Sequence, residues 1–456
     1  MENKLNSITR RATIRSLAGG SLLLPGMLSE LMAEQSPSDP LAPRNPHFAP
    51  KAKRLIFLYM SGGVSHVDSF DYKPKLIADD GKEAKEGKFL IRPKWEFKQY
   101  GQSGMHVSEL FPKVATCVDD LCMIHSMRND HTNHYEATLG VHTGSVTFAR
   151  PSIGSWLTYG LGTFNRNLPA FVVIAPQMPY AGDQVWSANF LPAAYQGTRI
   201  LPGDDPIPNL KRYAPTGDVQ ELQLGLLDYF NRRHLARHES DSTLAARIRS
   251  FETAFGMQQE APEVFDLSKE TDATLSSYGI ERGNTEGFGW QCLIARRLSE
   301  RGVRFVELID VGSSNNWDSH ADMQTHVPRA RNVDQPIAAL INDLKARGML
   351  EDTLLVWTTE FGRTPFNTRR DAKGREHHHP AYTSWITGAG VKRGYIHGST
   401  DEYGIEIAQD QVHVHDFHAT ILHLMGIDHL RLTYRYAGRD FRLTDVAGNV
   451  VKQILV

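Results

Sequence analysis

Five short apolar runs, Arg54 to Tyr59, Leu121 to His125, Ala170 to Ile174, Arg304 to Ile309 and Leu354 to Thr358, alternate along the chain with stretches of helical periodicity. Several of the runs carry Val, Ile, Leu and Phe on both parities, the pattern of strands buried on both faces. Helical spacing of apolar positions runs from Leu222 to Leu235, from Leu244 to Phe255 and from Asp334 to Arg347, the last stopped by Gly348. The alternation predicts an α/β fold in which a predominantly parallel central sheet is flanked by helices. Such sheets bind ligands beyond the carboxyl ends of their strands, and here the polar motifs follow the strands directly. Between Gln177 and Ala214 the chain is rich in Pro, Gly, Asn and Tyr, which predicts irregular excursions over one face.

The first residues follow a different rule. Ser7 to Arg15 contains the pair Arg10 and Arg11, ahead of a weakly apolar stretch, Leu17 to Leu31, broken by glycines, serines and Pro25. The interruptions argue against a membrane span of about 20 apolar residues and for a twin-arginine export signal. The expected division is a signal over residues 1–33 cleaved near Ala33, a linker over 34–52 and one domain over 53–456. A disordered cytoplasmic tail is the alternative. An exported chain would use the twin-arginine machinery and work in the periplasm or outside the cell, with no stable membrane span once mature. The formal net charge of −2 and the scattered basic residues leave no electrostatic footprint for nucleic acid. Cys117, Cys122 and Cys292 cannot all pair and are expected as buried fillers; a Cys117 to Cys122 bridge would close only a short loop.

The candidate chemistry lies in histidines and carboxylates. His377, His378 and His379 stand in a row between Glu376 and Pro380; Asp318 and His320 lie upstream, and the run from Leu354 ends on Glu360. Imidazoles and carboxylates are the ordinary ligands of zinc, manganese and iron, so the set predicts metal-assisted hydrolysis. Behind the first strand, Gly62 and Gly63 allow a sharp turn that leaves Ser65, His66 and Asp68 at the sheet edge, although a plain capped turn also fits. A second polar window, His125 to His134 with Glu136 and His142, is dense enough to suggest a site centred on His131 and His134, with His125 and His142 as hydrogen-bonded neighbours. Arg363 could hold a phosphate or sulfate oxygen pair bidentately, with Arg128 as a second candidate and a surface ion pair as the plain explanation. Tyr180, Trp186 and Trp317 would serve equally as a platform for a sugar or as core.

In this order the motifs resemble the alkaline phosphatase superfamily of phosphatases, sulfatases and phosphomutases, and over nearly the whole chain they resemble the DUF1501 family of exported bacterial proteins. The carriers are the twin-arginine start, Gly62, Gly63, Ser65, His66, Asp68 and Phe70; Asn133 and His134 ahead of Thr143 and Gly144; Trp317, Asp318 and His320; and Thr359 to Arg363. They continue through His377 to Pro380, Gly388 to Gly390, and Asp416 to Leu422 with Gly426. The resemblance implies an alkaline phosphatase-like three-layer sandwich and a divalent metal ion, zinc first, with manganese, calcium or iron as alternatives.

Matched position by position, Ser61 stands where the superfamily has an aspartate, and the nucleophile position falls on or beside His134. His320 fits one metal position, its partner falling on Asn316 with Asp318 nearby. Glu360 and Phe361 replace an Asp-His pair. One of His377, His378 and His379 matches the last ligand. One metal position thus looks intact and the other eroded. The metal candidates are Asp68, Asp318, His320, Glu360, His377, His378 and His379; the catalytic candidates are His66, Thr132, His134 and Arg363. Three arrangements stay open: Thr132 as a hydroxyl nucleophile, a single metal activating water with His66 or His134 carrying the proton, and a second site rebuilt from His66, Asp68 and Glu360. The function implied is an exported metal-dependent hydrolase of sulfate or phosphate esters, on a small molecule or a polysaccharide. A metal-retaining binding or assembly protein, or a hydrolase of another class, is the alternative.

Overall fold

The computed structural model describes residues 39–207, 210, 214–238 and 242–456, so the twin-arginine pattern, the apolar stretch after it and the expected cleavage point lie outside the described residues. Strand β1 (Arg54–Tyr59) is buried nearly throughout because its alternate side chains feed two cores. Ile56 and Leu58 join one apolar cluster, while Leu55, Phe57 and Tyr59 join another on the opposite face. Each such buried Leu or Phe contributes about 2 kcal/mol relative to exposure.

In chain order follow β2 (Leu121–Arg128), α1 (His134–Thr143), α2 (Ile153–Leu161), β3 (Phe171–Ile174), β4 (Thr198–Ile200), α3 (Gly217–Leu235), α4 (Ser242–Phe265), α5 (Gly287–Glu300), β5 (Phe305–Ile309) and α6 (His326–Ala346). The chain closes with β6 (Thr353–Thr358), β7 (Gly362–Arg363), β8 (His377–His378), β9 (Tyr382–Gly388), β10 (Tyr395–His397), β11 (Val412–His413) and α7 (Val414–Leu424). The main sheet has nine strands in the order β10-β2-β9-β6-β1-β5-β3-β4, with β11 beside β2. Its pairings are parallel except at β9, which runs antiparallel to both β6 and β2. Leu293 of α5 and Ile337 and Leu340 of α6 pack on one face. Trp156 of α2 and Phe417 and Ile421 of α7 pack on the other, giving three layers.

One sequence expectation needs correction. The stretch from Gln177 to Ala214 holds a true edge strand, β4, paired parallel to β3. Strand β9, which is not among the five apolar runs, is buried at all seven positions, and its Tyr, Thr, Trp and Ile are strand formers. Cys117, Cys122 and Cys292 are free and buried, without a Cys117 to Cys122 bridge. Among the described residues no helix is long and apolar enough to cross a membrane.

The register sets up a site. Tyr59 lies opposite both Thr358 and Ile309, so β1, β5 and β6 release their chains at one edge of the sheet. Strand β2 runs in the same direction, being antiparallel to β9, and delivers His134 there as well.

Candidate metal centre

The turn after β1 brings the strand exits together. Gly62 has φ +112° and a Cβ there would stand 2.6 Å from the Trp317 backbone nitrogen, while at Gly63 (φ +78°) it would meet the Phe361 ring at 2.7 Å. Glycine alone permits that closeness. The Gly62 N–H then donates to Glu360 Oε1 at 2.8 Å, and the Tyr59 hydroxyl to Oε2 at 3.0 Å. Burial opposes ionisation of Glu360, but the His134 hydrogen bond and charge hold its carboxyl below the ordinary range.

His134 opens α1, whose N-cap Asn133 accepts the Tyr135 N–H at 2.9 Å. Its Nδ1 lies 2.6 Å from Glu360 Oε1, and its ring stacks on Tyr180 at 4.3 Å. At the other end of the helix, His142 Nε2 meets Glu307 of β5 at 2.7 Å and Nδ1 meets the Thr138 carbonyl at 2.7 Å. The helix is tied to the sheet at both ends.

Asp318 is where the exits converge. Its Oδ1 lies 2.9 Å from His320 Nε2, 3.3 Å from His377 Nε2 and 2.6 Å from Arg363 Nη2, and its Oδ2 lies 3.4 Å from His134 Nε2. Burial works against the charge on Asp318, yet His134, His377 and the Arg363 guanidinium hold its carboxyl well below the usual range. Burial likewise opposes protonation of His134, but Asp318 and Glu360 raise its pKa above the ordinary value.

Proton placement on these rings follows from their outer partners. His134 Nδ1 faces Glu360, His320 Nδ1 faces Glu376 Oε2 at 2.7 Å, and His377 Nδ1 faces the Thr132 carbonyl at 2.6 Å. Each partner only accepts, so each Nδ1 carries the proton. The three Nε2 atoms are left as lone pairs pointing at a carboxylate and at one another, with those of His320 and His377 only 2.9 Å apart. His134 Nε2 is buried without a hydrogen-bond partner. A cation between them, a proton or a metal ion, relieves this arrangement, and a carboxylate or carbonyl behind each imidazole is the usual support of a metal-ligating histidine. Donor atoms of His134, Asp318 and His377 lie within 4.8 Å of one another.

A second group, Asp130, His413 and His415, has equally close donor atoms. Here His413 Nδ1 accepts the His415 backbone N–H at 3.2 Å as the cap of α7, so its proton sits on Nε2 and goes to Asp130 at 3.0 Å. His413 is thereby satisfied without an ion and has no lone pair left to give one, although His415, with Nδ1 on the Thr444 carbonyl at 2.9 Å, keeps its Nε2 lone pair.

Several sequence candidates are placed elsewhere. The Asp68 carboxylate is fully buried and taken by Arg375 at 2.6 Å, Ser65 at 2.5 Å and the Lys94 N–H at 3.0 Å, so it is no ligand of this cluster. His66 is sealed under Gly362, its Nε2 on the Gly404 carbonyl at 2.9 Å. His378 points away from His377, as successive strand residues do, and bonds the Ile405 carbonyl at 2.7 Å. His379 bonds the Asn129 carbonyl at 2.8 Å. Thr132 meets His377 through its carbonyl and lines the cavity beside it. Arg363 is fully buried and bonds Asp318 and the carbonyls of Gly62, Gly63 and Arg375, so it is a buried support of Asp318 and not the surface ion pair of the plain explanation. Glu360 supports His134 instead of facing an ion itself. Trp317 and Trp186 are buried, leaving Tyr180 alone of the proposed platform at the cluster. His131 bonds the Asn133 N–H, and His125 pairs with Thr383.

A family model for a protein of unknown function, DUF1501, matches residues 52–455. The chain belongs to the DUF1501 family. No curated protein sequence matches it. Among solved structures, this DUF1501 protein is similar to the lipoteichoic acid synthase LtaP from Listeria monocytogenes, at 10% identity and a TM-score of 0.36 over 90% of this chain and 79% of that one. The PsFucS1 sulfatase from Pseudoalteromonas sp. gives 12% identity and a TM-score of 0.33 over 91% and 72%. The periplasmic domain of EcEptC from Escherichia coli, solved in complex with Zn, gives 9% identity and 0.35 over 91% and 96%.

Sequence reasoning missed three members of the DUF1501 cluster: Tyr59, Tyr180 as the partner stacked on His134, and Glu376 as the carboxylate behind His320. Glu376 carried a signal, being the one acid adjoining the histidine run. Beside His377 a cavity of about 390 Å³ opens between Thr132, Thr364, Phe366, Glu376 and Ile405.

Proposed function

We propose that this protein is an exported metal-dependent hydrolase of esters, sulfate or phosphate esters first, with one ion held by His134, Asp318 and His377. The commitment of each Nδ1 at the cluster carries this reading, because it leaves two imidazole lone pairs facing one carboxylate. Two nitrogens and a carboxylate suit zinc, and after it manganese or iron, whereas calcium takes a larger shell of oxygens. An ion bound there would polarise an ester oxygen and lower the pKa of a water to about 7.

The chain's own residues do the rest. Arg363 fixes the Asp318 carboxylate and keeps it ionised. Glu360 fixes the His134 ring. Of the three imidazoles His320 is the most exposed, and Glu376 behind its Nδ1 can stabilise an imidazolium, so His320 is assigned the proton passed from the attacking water to the leaving alcohol. The cavity beside His377 receives the alcohol portion, from a small molecule or a polysaccharide. The twin-arginine pattern at Arg10 and Arg11 supports export to the periplasm or beyond.

One observation favours a second reading, a metal-retaining binding or assembly protein: Arg363 is fully buried and bonds Asp318 and the carbonyls of Gly62, Gly63 and Arg375, so its guanidinium is turned into the protein rather than toward a sulfate or phosphate. Elemental analysis with a panel of aryl sulfates, phosphates and phosphodiesters separates the two. The wild type and His320→Ala should both hold near-stoichiometric metal, the variant losing activity by about 10²- to 10⁴-fold. The double variant His134→Ala, His377→Ala should lose metal and activity together. Metal retained in the double variant refutes the site, and metal without turnover in the wild type selects the binding protein.

A further inference from the structure

Helix α3 is turned inside out. Its residues Val219, Leu222, Leu226 and Tyr229 follow the 3-4-3 spacing of a coiled-coil seam, yet Leu222 is 75% exposed, Leu226 59% and Tyr229 58%. The opposite face, toward α4, is the more sheltered one and is partly polar: Gln220 lies there and donates to Gln258 at 2.7 Å. None of the helix's residues is fully buried. An amphipathic helix ordinarily buries its apolar stripe, and a contiguous exposed stripe marks a contact with something else.

Charge along α3 says what that contact is. The first turn is acidic, with Asp218 and then Glu221, and the last turn is basic, with Arg232, Arg233 and His234. A second α3 laid antiparallel brings acidic end to basic end twice. With Val219 set against the partner's Tyr229 and Leu222 against the partner's Leu226, Asp218 flanks the seam within two positions of the partner's Arg232, which in its own helix also pairs with Asp228 at 2.9 Å. Gly225, where an added Cβ would meet nothing within 4 Å, lies one position from the two-fold axis and leaves room for the helices to close. We infer that α3 is the dimerisation face of this protein, pairing isologously with the same helix of a second copy.

The test is sedimentation of the purified full chain over a concentration series into tens of micromolar, with circular dichroism and metal content as controls for folding. The wild type should be a dimer and Leu222→Glu with Leu226→Glu a monomer. Asp218→Arg or Arg232→Asp alone should weaken association by about tenfold, because each pair occurs twice, and the two together should restore it. A wild type that stays monomeric overturns the proposal. So does a dimer that survives the double leucine substitution, which places the interface elsewhere. A monomer that binds vesicles of phosphatidylglycerol and phosphatidylethanolamine through Leu222 and Leu226 also overturns it, assigning the face to a lipid surface.

Discussion

Two histidine clusters stand near the exit of β2, both built from imidazoles around an aspartate with donor atoms equally close. At Asp318 the outer nitrogens of His134, His320 and His377 keep their protons and donate them in hydrogen bonds to Glu360, Glu376 and the Thr132 carbonyl, so the inner nitrogens are lone pairs. At Asp130 the outer nitrogen of His413 accepts a backbone N–H, so the inner one is already a donor. Residue type and spacing do not distinguish a candidate metal ligand such as His134 from a helix cap such as His413; the partner of the far ring nitrogen does.

The strongest way to break this comparison is to remove one ligand from each cluster. His134→Ala should abolish stoichiometric zinc after dialysis, whereas His415→Ala should leave it unchanged; elemental analysis showing the reverse would exchange the two assignments. Next in size is Glu360→Gln, which keeps His134 but removes the charge behind it and should weaken metal binding about 10- to 100-fold in a competitive chelator titration.

A pH series sharpens the contrast from outside either cluster. His418 on α7 is buried with its pKa pushed down to about 3, chiefly by desolvation, while its Nε2 bonds the Val141 carbonyl of α1. The unfolded chain, with an ordinary histidine pKa of about 6.5, binds more protons than the folded one between those values, so stability falls as pH drops through that window. His418→Gln should flatten the pH dependence of the denaturant midpoint by one proton, about 1.4 kcal/mol per pH unit. The smallest effect belongs to the cap: His413→Ala should cost about 1 kcal/mol in unfolding and leave metal content untouched.

The strands with unbroken apolar runs, such as Leu55 to Tyr59, were legible because burial on both faces leaves no polar position to confuse the pattern. Strand β9 was not, since Thr383, Ser384 and Thr387 are buried by the register of the sheet, a property of neighbours and not of composition. The site divides likewise. Asp318, His320 and His377 were readable as metal-binding types at strand exits, and His134 as the centre of a dense polar window. Asp68 could not be dismissed, because its partner Arg375 is 307 positions away. His378 could have been set aside, since two successive strand residues cannot face one site.

The double anchoring of α1 has a consequence for how the centre would fill. Glu360 holds the helix at His134 and Glu307 holds it at His142, so the turn that carries His134 is fixed to the sheet on both sides. An arriving ion would meet a preorganised cage, and its affinity would be spared the entropy of ordering a loop. Capture of an ion should then leave the backbone of α1 still.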